Sequence, residues 1–252
     1  MPVWAQADRP GLDGGDWQRV LNTVGGLIAS ASDAGAERIV AVVTSGHVLA
    51  PTIADRVRSL FTIEVGLLSC LEAATLAAVG ARARDARARP VAVHLGVDAV
   101  AIAGDGAARE LPCDLARLRL SLTAHPRARA EGEGGRVAPR RLAAVARLVH
   151  DAAAVTIERL HLVPPRTLVM TGPASPWLGQ GPIPLATLLL LERDAPTAEA
   201  RLAAMVAAAL AAGLSERAVA VDPAAVRMGV LVREFRARWW ARPWRATAQA
   251  SW

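Results

Sequence analysis

Apolar residues recur along this chain at two spacings, one typical of helices and one typical of buried strands. The clearest helix begins at Pro139, after which apolar side chains follow at intervals of three and four residues as far as Leu160. Another begins where Asp16 can cap the first turn, and it ends near Gly35. Further helices are predicted at residues 51–60, 67–79, 114–123, 183–192 and 197–212.

Short apolar runs alternate with these helices and predict buried strands, because branched side chains are frequent in them. The alternation of strands and helices predicts an α/β fold. We expect an N-terminal α/β segment at residues 1–62, a main domain at residues 63–232 and an arginine- and tryptophan-rich tail at residues 233–252. The predicted strands are residues 38–43, 61–65, 91–95, 99–103, 109–113, 166–171, 219–221 and 228–232.

Two glycine-containing connections follow predicted strands. The turn at Gly104-Asp105-Gly106 joins two strands of a hairpin that runs from Val91 to Cys113. The loop at residues 172–182 is dense in glycine and proline and contains Ser175. Open α/β sheets bind ligands beyond the carboxyl ends of their strands, so this loop is either the rim of a pocket or a rigid connection.

Composition excludes several classes of protein. A hydrophobic content of 53% excludes a disordered chain. All 29 basic residues are arginine, which excludes lysine chemistry such as a Schiff base. The longest apolar runs, residues 182–191 and 202–214, are shorter than the roughly 20 residues of a membrane span. With no charged-then-apolar leader at its start, the chain is expected to be cytoplasmic.

The net charge of +6 raises the question of nucleic-acid binding. Arginines gather at residues 82–89, 127–141 and 233–245, and the first two groups are typical of solvated surface. Four of the seven tryptophans lie in the last fourteen residues. Since Pro243 interrupts a continuous helix there, we expect this tail to dock on its own domain or on a partner subunit.

Neither the cysteines nor the histidines show metal-ligand spacing. Cys70 and Cys113 are far apart in sequence and are expected to be two reduced thiols. His150 and His161 lie on one predicted helix but are separated by about 16 Å of rise, so they cannot share a metal ion. We predict no metal site and no catalytic residue from these side chains.

The hairpin at Val91 to Gly106 resembles the second phosphate hairpin of the actin, Hsp70 and sugar-kinase superfamily. This resemblance implies an actin-like (ribonuclease H-like) fold, in which a mixed sheet is flanked by helices and preceded by a small βα segment. In those ATPases the first strand of the hairpin ends in a carboxylate, followed by glycines and hydroxyl residues that hold phosphate and the water shell of the metal.

The order of short motifs along residues 11–232 also resembles the C-terminal part of the MutL-type proteins associated with cobalamin-dependent glutamate mutase. The matching segments are Leu12 to Asp16, Val40 to Gly46, Val91 to Gly106, Val169 to Gly172, and Ala220 to Asp222 with Met228 to Leu231. Members of that family begin with a further lobe that carries the first phosphate loop, and this chain is expected to start after it.

Several positions depart from the pattern of the family. His94 stands where the resemblance implies a carboxylate, and Ala99 and Val100 stand where it implies two hydroxyl residues. Pro173 replaces a glycine in the adenosine-side loop. These departures favour a non-catalytic accessory or interaction subunit, whose partner would be a cobalamin-dependent mutase, a second chain with the missing lobe, or another copy of itself.

Two other functions stay open. The first is an actin-fold ATPase or phosphotransferase that uses Mg-ATP, with Asp98, Asp13 and the Gly172 loop at its site. The second is an arginine-rich nucleic-acid binder, which the scattered charges make less favourable. Asp13 to Asp16 is either an anion-binding turn or an ordinary helix cap. The residues predicted to bind a nucleotide are Asp13, Gly14, Gly15, Gly96, Asp98, Gly172 and Ser175.

Overall fold

The computed structural model describes residues 14–36, 40–44, 50–85, 89–96, 99–123, 137–162, 167–172, 174–179 and 181–241. The helices are α1 (Gly14–Asp33), α2 (Ala50–Phe61), α3 (Cys70–Arg84), α4 (Leu115–Leu122), α5 (Pro139–Arg159), α6 (Leu185–Asp194), α7 (Ala198–Gly213) and α8 (Ala225–Ala241). The strands are β1 (Val40–Thr44), β2 (Glu64–Leu68), β3 (Pro90–Leu95), β4 (Val100–Gly104), β5 (Ala107–Glu110), β6 (Thr167–Thr171), β7 (Gly181–Pro184) and β8 (Ala218–Val221). A short 3₁₀ helix spans Ser175–Leu178.

The main sheet has six strands in the order β5-β4-β3-β6-β8-β7. Strands β3, β6 and β8 are parallel, while β4, β5 and β7 run against their neighbours. A second, smaller sheet pairs β1 with β2 in parallel. The predicted mixed sheet, flanked by helices and preceded by a smaller α/β segment, is confirmed.

Side chains of the six-stranded sheet alternate between two helical layers. Val93 and Leu95 of β3 join a large apolar core with residues of α4, α5 and α7. On the opposite face, Ala92 packs with Ala77 of α3 and Ala225 of α8. Helix α7 is buried along almost its whole length, because it is apolar on all sides beyond its first turn.

Helix α3 begins three residues later than predicted and does not end at Gly80. Ser69 accepts a hydrogen bond from the backbone of Glu72, and the Glu72 carboxylate accepts one from Ser69, so a capping box fixes the start. Gly80 lies inside the helix because α8 crosses there: a Cβ on Gly80 would overlap the carbonyl oxygen of Ala225. The glycine serves close packing and does not end the helix.

Three strand predictions are wrong in type or position. Residues 228–232 lie in helix α8, because their short apolar run has no clear period of its own and Gly229 packs directly against Leu76 of α3. The strand predicted at residues 61–65 is Glu64–Leu68, because α2 continues to Phe61. The strand predicted at residues 109–113 is Ala107–Glu110, since Gly104 to Gly106 turns the chain earlier.

The segment predicted as a loop at residues 172–182 contains the 3₁₀ helix and the start of edge strand β7. The arginine-rich loop near residue 130 and Pro243 lie outside the described residues. Within the part of the chain that is described, no helix is both long and apolar enough to cross a membrane.

Candidate functional site

The candidate site lies where strands β3 and β6 end side by side. Because the two strands are parallel, the turn that follows Leu95 and the loop that follows Thr171 leave the sheet at the same edge. The amide of Ala174 donates a hydrogen bond of 3.2 Å to the carbonyl of Leu95, which ties the loop to the turn. The amide of Gly96 donates one of 2.9 Å to Ala99, which closes the turn of the hairpin.

His94 is the central side chain of this edge. It is only 1% exposed and lies between Ala101 of β4 and Thr171 of β6 in the sheet register. Neither ring nitrogen has a hydrogen-bond partner, and burial lowers the pKa of His94 to about 4. The imidazole is therefore neutral near pH 7.

Gly172 closes the site from the loop side. Its φ of +95° favours glycine, and a Cβ at this position would lie 2.6 Å from the carbonyl oxygen of Leu95 and 3.0 Å from the His94 ring. The loop backbone thus covers the histidine directly, and no side chain fits between them.

Thr171 and Ser175 flank that glycine and differ in their bonding. The buried Thr171 hydroxyl has no hydrogen-bond partner. The Ser175 hydroxyl donates a hydrogen bond of 2.8 Å to the Gly172 carbonyl, and the Ser175 amide donates to the same oxygen at 3.1 Å. Ser175 therefore holds the loop in place and is not directed at a ligand.

A small pocket opens beside Gly96 and Ala174, on the sheet face opposite His94. Its volume is about 30 Å³, which holds about two water molecules. That is far less than a nucleotide needs. The lining is apolar apart from one basic and one acidic side chain, and consists of Leu95, Gly96, Val100, Leu115, Arg119, Ala174, Glu199, Leu202, Ala203 and Val206.

The structure brings together three of the seven predicted binding residues, Gly96, Gly172 and Ser175. Asp13 and Asp98 lie outside the described residues. Gly14 and Gly15 form the first turn of α1, so the helix starts before the predicted cap at Asp16. The first amides of a helix need no partner within the helix, so it can begin on glycines.

Metal and thiol chemistry find little support at this edge. Among the described residues, no group of three histidine, cysteine or acidic side chains could hold a metal ion. Cys70 and Cys113 are both free, as predicted. Burial, with a smaller effect of Asp114, raises the pKa of Cys113 to about 11, so this thiol stays protonated at neutral pH.

Sequence reasoning missed Thr171 as a member of this site. The residue was assigned to a strand, and only the register of β3 with β6 places it beside His94. A polar residue immediately before a glycine at the end of an apolar strand was the available signal. It could not be used without knowing which strands are neighbours.

No protein-family model and no curated protein matches the chain. Solved structures do match. A Ppx/GppA family member from Aquifex aeolicus aligns with a TM-score of 0.63 and 12% identity, over 90% of this chain and 83% of that one. An exopolyphosphatase from Cytophaga hutchinsonii aligns with a TM-score of 0.61 and 14% identity, over 91% and 85%. An exopolyphosphatase-like protein aligns with a TM-score of 0.64 and 11% identity, over 89% and 83%.

These similarities establish the fold. The mixed six-stranded sheet with helices on both faces matches actin-like structures, as the hairpin predicted. Sequence identity this low carries no information on substrate or activity, so function has to be argued from the site itself.

Proposed function

We propose that this chain is a non-catalytic actin-fold protein that acts as an accessory or interaction subunit. The observation that carries the proposal is His94. At the end of β3, where the family resemblance implies a carboxylate, the chain has a buried imidazole that is neutral near pH 7. Mg²⁺ and its water shell are held by oxygen ligands, usually carboxylates, and a neutral imidazole supplies neither the charge nor the oxygen.

The rest of the hairpin supports the same reading. Val100, at a position where the resemblance implies a hydroxyl residue, is 1% exposed and belongs to the apolar core. Gly172 packs against the His94 ring from the other side. The described residues at this edge of the sheet are therefore closely packed, where a phosphate site would present open backbone amides and hydroxyls.

The sequence resemblance to the MutL-type proteins suggests the partner. By that resemblance, the chain would bind a cobalamin-dependent mutase or a second chain that carries a complementary lobe, in the cytoplasm. A protein that keeps an actin-like fold without the phosphate-binding groups retains its surfaces, and surfaces are sufficient for an interaction subunit.

The alternative is an actin-fold phosphohydrolase or ATPase. It is favoured by the names of the structural neighbours, which are a Ppx/GppA phosphatase and exopolyphosphatases. In that case Asp98 and Asp13 would replace the missing acid, and the Gly172 loop would contact Mg-ATP or a polyphosphate chain.

Turnover separates the two functions. Phosphate release from ATP and from polyphosphate is measured with and without Mg²⁺ for the wild type and for Asp98→Ala. The matched control is Asp151→Ala, which removes an exposed acidic side chain on α5. We expect all three proteins to equal the buffer blank. Mg²⁺-dependent release that Asp98→Ala abolishes and Asp151→Ala retains would establish the alternative.

A further inference from the structure

Helices α4 and α5 form one outer surface of the molecule. They contact each other, and both pack on the buried helix α7. Leu118 of α4 and Val149 of α5 lie on their inner faces, in the large core. The faces turned away from α7 expose two leucines, Leu120 at 71% and Leu148 at 56%. Single exposed leucines are common on protein surfaces, so the side chains around these two decide their meaning.

Arginines accompany the leucines on these outward faces. On α4, Arg117 lies three residues before Leu120, which places both on one side of the helix. On α5, a spacing of seven residues, or two turns, relates Arg140 to Arg147 and also Arg141 to Leu148. All four arginine side chains are exposed. We call this set of four arginines and two leucines the α4–α5 surface.

The positive charge of this surface is not neutralised by the residues that the structure describes. None of the four guanidinium groups forms an ion pair with them. The Asp114 carboxylate caps α4 by accepting a hydrogen bond of 2.9 Å from the amide of Arg117. Helix α5 has no acidic residue before Asp151. Residues 123–138, which join the two helices, contain three arginines and two glutamates and so add no excess of negative charge.

The combination of arginine and leucine favours one class of partner. Neither α4 nor α5 contains an aromatic residue, so the surface lacks the rings on which single-stranded bases stack and those that insert into a membrane interface. Further along the outward face of α5, Asp151 and Glu158 would be repelled by anionic lipid. Protein interfaces are enriched in arginine, because its stem covers apolar area while its charge selects acidic groups.

We propose that the α4–α5 surface binds an acidic amphipathic segment of a partner protein. The four arginines bind carboxylates of that segment, and Leu120 and Leu148 pack on its apolar side chains. This inference rests on the proposed function of the chain as an interaction subunit, and it adds which surface acts and what kind of sequence that surface recognises. It involves none of the residues at the His94 edge of the sheet.

Binding of a synthetic peptide tests the surface. The probe is a fluorescently labelled helical peptide of about 18 residues, with leucine at every third or fourth position and glutamate at most others. Fluorescence anisotropy in about 0.1 M NaCl measures its affinity for the full chain. We expect a dissociation constant below about 100 μM, and one about fivefold higher for a peptide of the same composition whose leucines do not share a face.

Two variants separate the charged from the apolar part of the contact. Arg140→Glu combined with Arg141→Glu should weaken binding at least about tenfold, since attraction becomes repulsion. Unfolding does not explain such a loss, because acidic residues in the first turn of a helix are favourable. Leu148→Gln should weaken binding about threefold or more. The matched control is Arg82→Glu with Arg109→Glu, which reverses two exposed arginines on α3 and β5 and should keep the affinity within about twofold.

Four results would overturn the proposal. The peptide shows no saturable binding up to about 1 mM, the control variant loses as much affinity as the Arg140 and Arg141 variant, or Leu148→Gln keeps the full affinity. The fourth is tighter binding, through the same two arginines, of a single-stranded oligonucleotide or of phosphatidylcholine vesicles with about 30% phosphatidylserine. Phosphate release from ATP and polyphosphate by the same preparations tests the proposed function separately. Turnover refutes the accessory role, whereas absent peptide binding without turnover refutes only this surface.

Discussion

At the scale of single residues, the end of β3 carries a buried neutral ring. His94 and the neighbouring Thr171 hydroxyl present three enclosed polar atoms without partners, surrounded by Ala101 and the Gly172 backbone. Buried polar atoms normally have partners, so this place is the least satisfied part of the described core. It tolerates a neutral imidazole but not an imidazolium.

The first prediction concerns pH. Since the folded-state pKa of His94 is about 4 and the unfolded value is 6.5, the unfolded chain binds the proton more tightly. The contribution of neutral His94 to the unfolding free energy is therefore complete above pH 6.5. It is lost as pH falls from 6.5 toward 4, by an amount on the order of 3 kcal/mol. Urea unfolding at pH 7, 6 and 5 should show a shallower loss for His94→Gln than for the wild type.

The control for that series is His150→Gln, which removes an exposed histidine on α5. The loss of unfolding free energy between pH 7 and pH 5 is compared among the wild type and the two variants. A curve for His94→Gln that runs parallel to that of the wild type would show that His94 is solvated.

The second prediction concerns Gly172, where a side chain meets two obstacles. Gly172→Ala combines an unfavourable φ with a Cβ placed 2.6 Å from the Leu95 carbonyl oxygen, so we expect a loss of about 3 kcal/mol or more of unfolding free energy. Gly106→Ala has a similar φ of +83° but open space around the new Cβ, and it should lose only about 1 kcal/mol. Equal losses in urea unfolding would contradict the close approach of the loop.

At the scale of elements, α3 and α8 cross with their backbones in close approach. Each helix places a buried glycine at the crossing, Gly80 on α3 and Gly229 on α8. A Cβ on Gly229 would overlap the carbonyl oxygen of Leu76. Charged side chains add to this contact. Arg84 of α3 forms an ion pair of 2.5 Å with Asp222, which precedes α8, and Glu72 of α3 is attracted to Arg233 of α8.

The third prediction tests this crossing. Gly229→Ala should lower the unfolding free energy by about 3 kcal/mol or more, because the helices must separate to admit the methyl group. Gly26→Ala, also inside a helix but with nothing within 4 Å of the new Cβ, should raise it by about 0.5–1 kcal/mol. Urea unfolding of the two variants measures both changes, and a neutral Gly229→Ala would contradict the packing of α8 on α3.

The sequence predicts an element correctly where apolar residues keep one spacing over several turns. It does not where the apolar run is only a few residues long. Helix α5 was predicted from Pro139 because its apolar stripe covers about six turns. Residues 228–232 were placed in a strand, since four apolar residues and a glycine fit either structure and only the contact with α3 decides between them. Gly80 looked like a helix end because close packing on a distant helix cannot be read locally.

At the scale of the whole molecule, the hairpin was enough to predict the fold but not the site. The three short strands of the hairpin and its glycine-centred turn led to the actin-like sheet, which the structural neighbours confirm. The neighbours of His94 depend on the register of β3 with β6 and on the path of the Gly172 loop, and both are set by long-range packing.

The central claim is that an actin-like fold is kept here without the groups that bind nucleotide and metal. Equilibrium binding of labelled ATP in the presence of Mg²⁺ tests it most directly. The account predicts no saturable binding up to about 1 mM, for the wild type and for Asp98→Ala alike. A micromolar dissociation constant that requires Mg²⁺, is lost in Asp98→Ala and is unchanged in Asp151→Ala would contradict it.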